Sequence, residues 1–170
     1  DYDLFMKGSV KPVQKNYIVF IDQYLPHHTD LYLSSDDPSH INADVVDQYY
    51  YYLNKFFEKV EDKYKCKVVV SAHPRSNYVD KDSRFLGRDV AFGNTQGLIE
   101  HSKFSITYGS TAVNFSVLYS RPLMMINMNL FDRFVDTYDQ ELASAMSYEL
   151  GYQPVIIDTN SVVLPDVEIN

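Results

Sequence analysis

Runs of apolar residues and stretches of helical spacing alternate along the chain, and their order predicts most of the fold. Tyr17–Ile21 (YIVFI) and residues 67–72 (KVVVSA) are short continuous apolar runs, the pattern of strands buried on both faces. Residues 44–64 instead place Val45, Tyr49, Tyr52, Leu53, Phe56 and Val60 three or four apart, the single stripe of an amphipathic helix. The tyrosine run at 49–52 fits this helix as tyrosines flanking the buried stripe. Residues 104–127 (FSITYGSTAVNFSVLYSRPLMMIN) combine both patterns. A β-rich run at 104–107 meets Tyr108-Gly109-Ser110-Thr111. Ala112, Val113, Phe115, Val117 and Leu118 then follow at helical spacing, Arg121-Pro122 stops the helix, and 123–126 is a second buried strand. Strand, tight turn, helix and strand in that order predict two parallel, adjacent strands.

The remaining segments extend the alternation. Residues 1–15, broken by Lys7-Gly8-Ser9 and Lys11-Pro12, read as a linker or tail. A polar segment carries turn and cap signals at Ser34, Ser35, Asp36, Asp37, Pro38 and Asn42. Residues 76–86 read as a polar loop and 88–92 as a short strand. Asn94 or Thr95 caps a helix carrying Leu98 and Ile99 that ends near Ser102. A helix over 138–150, closed by Gly151, precedes a last strand at 154–157. There is no internal repeat. The alternation predicts a Rossmann-like three-layer α/β/α domain with a mainly parallel sheet over residues 16–170. It leaves the strand order open.

Composition narrows the function. At 170 residues the chain is one domain of ordinary size, and its formal net charge of −8 disfavours nucleic acid or an anionic membrane surface as main partner. The lone Cys66 precludes an intramolecular disulfide and fits a reducing cytosol; the expected location is the cytoplasm, with the inner face of the membrane as a further option. No apolar run approaches the roughly 20 residues of a membrane span, and no signal-peptide pattern is present. The start at Asp1-Tyr2-Asp3, without methionine, is that expected of a fragment or of a processed chain.

The common nucleotide and nucleophile motifs are missing. There is no G-x-x-x-x-G-K-[ST] loop, and Gly87, Gly93 and Gly97 are spaced too widely for a G-x-G-x-x-G cradle. Gly109-Ser110 lacks the second glycine of a G-x-S-x-G elbow. No metal site is expected: His27 and His28 are adjacent, Asp36-Asp37 sits in a turn, and Cys66 has no partner at ligand spacing. What remains is convergence. His73 and Arg75, around the strand-stopping Pro74, end one strand; Gly109, Ser110 and Thr111 end another; Thr95 opens a helix between them. Parallel strands would bring all of these to one sheet edge, a small positive pocket suited to phosphate. Each also has a plainer role open to it. Ser110 or Thr111 could simply cap the helix, His73 could be a neutral histidine bonded to nearby backbone, and Arg75 a solvated loop charge.

SAHPRS at residues 71–76, followed by GRDVAFGNTQGLIEHSKFSITYGSTAVNFSVLYSRPLMMI at 87–126, resembles the C-terminal half of GT-B glycosyltransferases of bacterial surface polysaccharide synthesis. Within that group it is most similar to bacterial sialyltransferases and related capsule enzymes that use CMP-activated sugars. The shared features are a His-Pro motif and a downstream serine motif at a strand-to-helix turn. The resemblance implies that His73, with Pro74 shaping the turn, contacts the donor nucleotide and that Ser110 and Thr111 bind its phosphate. Arg75, Thr95 and Gly109 are further candidates. It also implies sugar transfer from a nucleotide-sugar, a CMP-sugar being favoured, to a glycan acceptor. No metal or cofactor is expected, the donor itself being a substrate. The catalytic carboxylate of such enzymes lies in an N-terminal half for which this chain has no counterpart. No catalytic residue is therefore assigned, and the chain alone should be inactive. Two other readings share the fold: a UDP-sugar 2-epimerase or polyol-phosphate transferase, and a non-catalytic interaction domain with a degenerate nucleotide fold.

Overall fold

The structure is a computed structural model that describes residues 2–8, 16–28, 41–128, 130, 138–151, 153–157 and 163–167. The turn signals expected from Ser34 to Pro38 lie outside the described residues. The strands are β1 (Tyr17–Ile21), β2 (Lys67–Ser71), β3 (Val90–Ala91), β4 (Ser105–Thr107), β5 (Leu123–Met128) and β6 (Val155–Ile157). The helices are α1 (Tyr2–Lys7), α2 (Ala43–Tyr64), α3 (Thr95–His101), α4 (Val113–Leu118) and α5 (Tyr138–Glu149). Residues 2–7, expected within a linker or tail, thus form a short helix, which lies against α4. Leu4, Met6 and Lys7 are good helix formers, and Gly8 at φ 75° takes a conformation that ends it. No helix among the described residues is long and apolar enough to cross a membrane.

The six strands form one sheet in the order β3-β2-β1-β4-β5-β6, and every described pairing is parallel. β1 is central, with Tyr17 to Ile21 paired to Lys67 to Ser71 on one side and Val19 to Ile21 paired to Ser105 to Thr107 on the other. Its five residues are all buried because the pleat sends alternate side chains into two cores. Ile18 and Phe20 join Val68, Val70 and Ile106 under Leu53, Phe56 and Phe57 of α2. Tyr17, Val19, Ile21 and Val69 meet Leu98 and Ile99 of α3 and Phe115 of α4 on the opposite face. Helices on both faces of a parallel sheet in this strand order define a Rossmann-like α/β fold.

α2 begins where the pattern predicts. The Asn42 side chain accepts from the Val45 N–H at 3.1 Å, and Lys65 in left-handed geometry ends the helix. Its buried stripe is wider than six residues at helical spacing suggest. Tyr50 is buried and Tyr52 only half-buried, because the loop at 76–86 wraps one flank of the helix and brings Tyr78 and Phe85 into the core. Tyr50 and Tyr78 share a hydroxyl hydrogen bond of 2.9 Å. Asp82 folds the loop: its carboxylate accepts from the Val79 and Arg84 amides and from the Arg84 guanidinium at 2.8–3.2 Å. Asn42→Ala should lower stability by about 1 kcal/mol, the usual worth of an N-cap side chain. Urea unfolding followed at a helical wavelength reads this directly, and an unchanged midpoint would show that the cap contributes nothing.

β5 runs two residues beyond the predicted strand, to Met128, paired there with Ile157. Gly151 follows α5 at φ 80°, with its N–H on the Tyr148 carbonyl at 3.0 Å, as expected of a terminating glycine.

Candidate functional site

In a parallel sheet all strands deliver their carboxyl ends to one edge. β1 and β4 are neighbours there, but α2 follows β1 on one face and α4 follows β4 on the other. That divergence makes the space between the two strand exits the switch point of the sheet, the usual place for a ligand crevice in such folds. Three segments border it: Asp22-Gln23-Tyr24 after β1, Ala72-His73-Pro74-Arg75 after β2, and Tyr108-Gly109-Ser110-Thr111 after β4.

His73 lies half-buried at the exit of β2. Its Nδ1 accepts the Arg75 backbone N–H at 3.2 Å, and its carbonyl accepts from the Ser76 amide and hydroxyl, closing a tight turn around Pro74. The histidine is therefore bonded to nearby backbone, as one of the open readings had it. An Nδ1 that accepts puts the proton of the neutral ring on Nε2, which is left as a donor. Burial, then the neighbouring His28 and Arg75, hold the ring below the usual histidine range and keep it neutral near pH 7. The His28 ring meets it edge-on at 5.5 Å. Pro74 and Arg75 are exposed, and the Arg75 side chain has the surroundings of a solvated loop charge.

After β4, the buried Gly109 donates its N–H to the side-chain carbonyl of Gln23 at 3.0 Å. Ser110 is half-buried, and its hydroxyl accepts from the Ala112 amide at 3.2 Å. That bond makes a hydroxyl turn just ahead of α4 rather than a cap, since Ala112 occupies the capping position and no side chain caps the helix. Thr111 is exposed. α3 departs from expectation in a similar way. Asn94 sits at its cap position without a capping side-chain bond, and the Thr95 hydroxyl instead meets the Ser71 hydroxyl at 2.7 Å. Thr95 is thereby tied to the end of β2.

The structure thus brings His73 and the Gly109-Ser110-Thr111 turn to the same edge, on the two strands that flank β1. Two strand spacings separate their exits, roughly 10 Å. This is the span of a nucleotide rather than of a lone phosphate.

Two residues at the heart of this edge were not singled out from sequence, Asp22 and Gln23. Gln23 links the β1 exit to Gly109. Asp22 is 3 % exposed on the α2 face, among Tyr49, Tyr50, Tyr78 and Tyr108. Burial pushes its carboxyl group up to about 6, against the opposing pull of the Tyr24 amide, the Tyr78 hydroxyl, the His73 amide and Arg84. These groups approach the carboxyl, yet neither oxygen completes a hydrogen bond with the described residues. The signal was present as a polar pair directly after a fully apolar run. Its meaning depended on that run being the central strand.

The fold defines a Rossmann-like α/β domain, with the candidate residues gathered at the switch-point edge of its sheet. No protein-family model matches the chain, and no curated protein matches it. Among solved structures it is similar to the glycosyltransferase of kitacinnamycin, with a TM-score of 0.45 and 13 % identity. That alignment covers 92 % of this chain and 34 % of the other, so the chain spans about a third of that structure's length.

Proposed function

We propose that the chain is the donor-nucleotide-binding part of a glycosyltransferase. It would serve transfer of a sugar from a nucleotide-sugar, a CMP-sugar being favoured, to a glycan acceptor in surface polysaccharide synthesis, in the cytosol or at the inner face of the membrane. The rest of the enzyme, with the catalytic carboxylate, lies outside this chain in this reading. The observation that carries it is the placement of the His-Pro and serine motifs after the strands either side of β1, at the switch-point edge of the sheet. In this reading His73 donates from Nε2 to the nucleotide, and the Ser110 and Thr111 hydroxyls meet its phosphate. Arg75 reaches the phosphate from the exposed turn. α4 is only six residues long, so its dipole adds little and the loop donors carry the interaction. As the sugar departs, charge grows on the phosphate, and donors already aimed at it stabilise the transition state more than the ground state.

Titration of the chain with CMP, UDP and GDP tests this by NMR. CMP should move the amides of residues 109–112 and the His73 ring. His73→Ala and Ser110→Ala should each weaken CMP binding about 10- to 100-fold, the worth of one charge-assisted hydrogen bond. A stronger response to UDP would favour the epimerase or polyol-phosphate reading. No response to any of the three nucleotides would leave the interaction-domain reading in its place. Full transferase activity from this chain alone would overturn the division into halves.

A further inference from the structure

A carboxyl group enclosed in a core without a completed hydrogen bond is destabilising, and such groups concentrate at functional edges. Among the described residues Asp22 is one, and its surroundings say what it can act on. Its backbone N–H extends the β1–β2 ladder by one step, donating to the Ser71 carbonyl at 3.1 Å. Its side chain then lies close to the amides of Tyr24 and His73, one in each of the two exit loops. The titratable and charged groups facing it come from every side of the pocket. Tyr24 belongs to its own exit loop, Tyr49 and Tyr50 to α2, and Tyr108 to the exit of β4. His73, Tyr78 and Arg84 come from the segment after β2.

We propose that Asp22 is a positioning residue of the donor site. Its carboxyl group draws the Tyr24 and His73 amides together, so that the exits of β1 and β2 move as one and the His73 ring is held with Nε2–H toward the ligand. The inference rests on the donor-site reading above. It explains why an aspartate stands where the surrounding tyrosines and phenylalanines would favour an apolar or neutral side chain. It also explains how His73 is aimed, since the ring's Nδ1 bond reaches only two residues along its own loop and cannot by itself fix the loop to the sheet.

The test uses the full chain with Asp22→Asn, which keeps the shape, and Asp22→Ser as a second variant. The amide protons of Tyr24 and His73, followed against pH, report the hold of the carboxyl group without any ligand, and CMP is the titrated probe. The expected result is a wild type in which both amides shift together as Asp22 ionises, no such shift in either variant, and CMP affinity reduced about tenfold in both. Amides that do not follow Asp22 overturn the proposal, and so does loss of their response with undiminished CMP affinity. Loss of the fold in both variants would make Asp22 structural and overturn it too. If wild type ignores CMP, UDP and GDP, the donor-site reading fails on its own. The two amides then still decide whether Asp22 holds His73.

Discussion

Glu61→Ala should lower the unfolding free energy by about 2–3 kcal/mol, the penalty for leaving a largely buried guanidinium and a backbone amide without their shared acceptor. Glu61 and Arg88 are 14 % and 10 % exposed, and the guanidinium meets the carboxylate through two bonds of 2.9 and 3.2 Å. The same carboxylate accepts the Val68 N–H at 2.9 Å, at the start of β2. Arg88 also donates to the Asn54 side chain and the Phe85 carbonyl and lies over the Phe57 ring. Removing Glu61 therefore strands a partly buried charge and the Val68 amide together, in the network that joins α2, β2 and the wrapping loop. Glu61→Gln retains an acceptor for Val68 and should lose distinctly less. Urea unfolding reads both. A Glu61→Ala variant within 1 kcal/mol of wild type would show that the pair is neutral in its setting. Val68 lies at the amino end of β2, away from the switch-point edge, so the folded variant should keep whatever nucleotide binding the wild type has.

Asp22→Asn should do the opposite and raise stability at neutral pH. Burial lifts the folded-state pKa of Asp22 from 3.8 to about 6, so the folded chain binds this proton more tightly than the unfolded chain does. The contribution of this group to stability is then complete below about pH 4 and is lost as pH rises through about 6. At 1.36 kcal/mol per pH unit, the loss amounts to about 3 kcal/mol above pH 7. The asparagine variant carries no such dependence. It should match wild type near pH 4 and exceed it by up to about 3 kcal/mol at pH 7.5, measured by urea unfolding at several pH values. A difference that does not change with pH would show that Asp22 is not a buried titrating group. A variant that is more stable yet binds nucleotide less well would be the signature of a residue kept for its position rather than for the fold.

The candidate edge was legible in part. His73, Gly109, Ser110 and Thr111 could be named from sequence because each follows a run whose apolar pattern marks a buried strand, and a turn after such a strand lies at a sheet edge. Their partners could not. The bond from Gly109 to Gln23 spans 86 residues, and the approach of Asp22 to the His73 amide spans two separate loops. The helix starts were also less predictable than the helices. Side-chain capping rules pointed to Asn94, Thr95, Ser110 and Thr111. In the fold, Thr95 bonds Ser71 and Ser110 makes a turn one step too early to cap. Short polar side chains serve whichever backbone or hydroxyl group the tertiary structure brings nearest.

The sequence by itself determined the elements and the class of fold, because hydrophobic period is a local property. A continuous apolar run such as YIVFI can satisfy its side chains only between two cores, and the stripe of residues 44–64 can satisfy its own only as a helix on a sheet. Tertiary structure alone decided that β1 is central, with β2 and β4 on either side. No local pattern encodes which strands become neighbours. That order is set by how the helices between strands divide over the two faces to bury their stripes. It is also what turns two separated motifs into one edge and places a carboxylate beneath it.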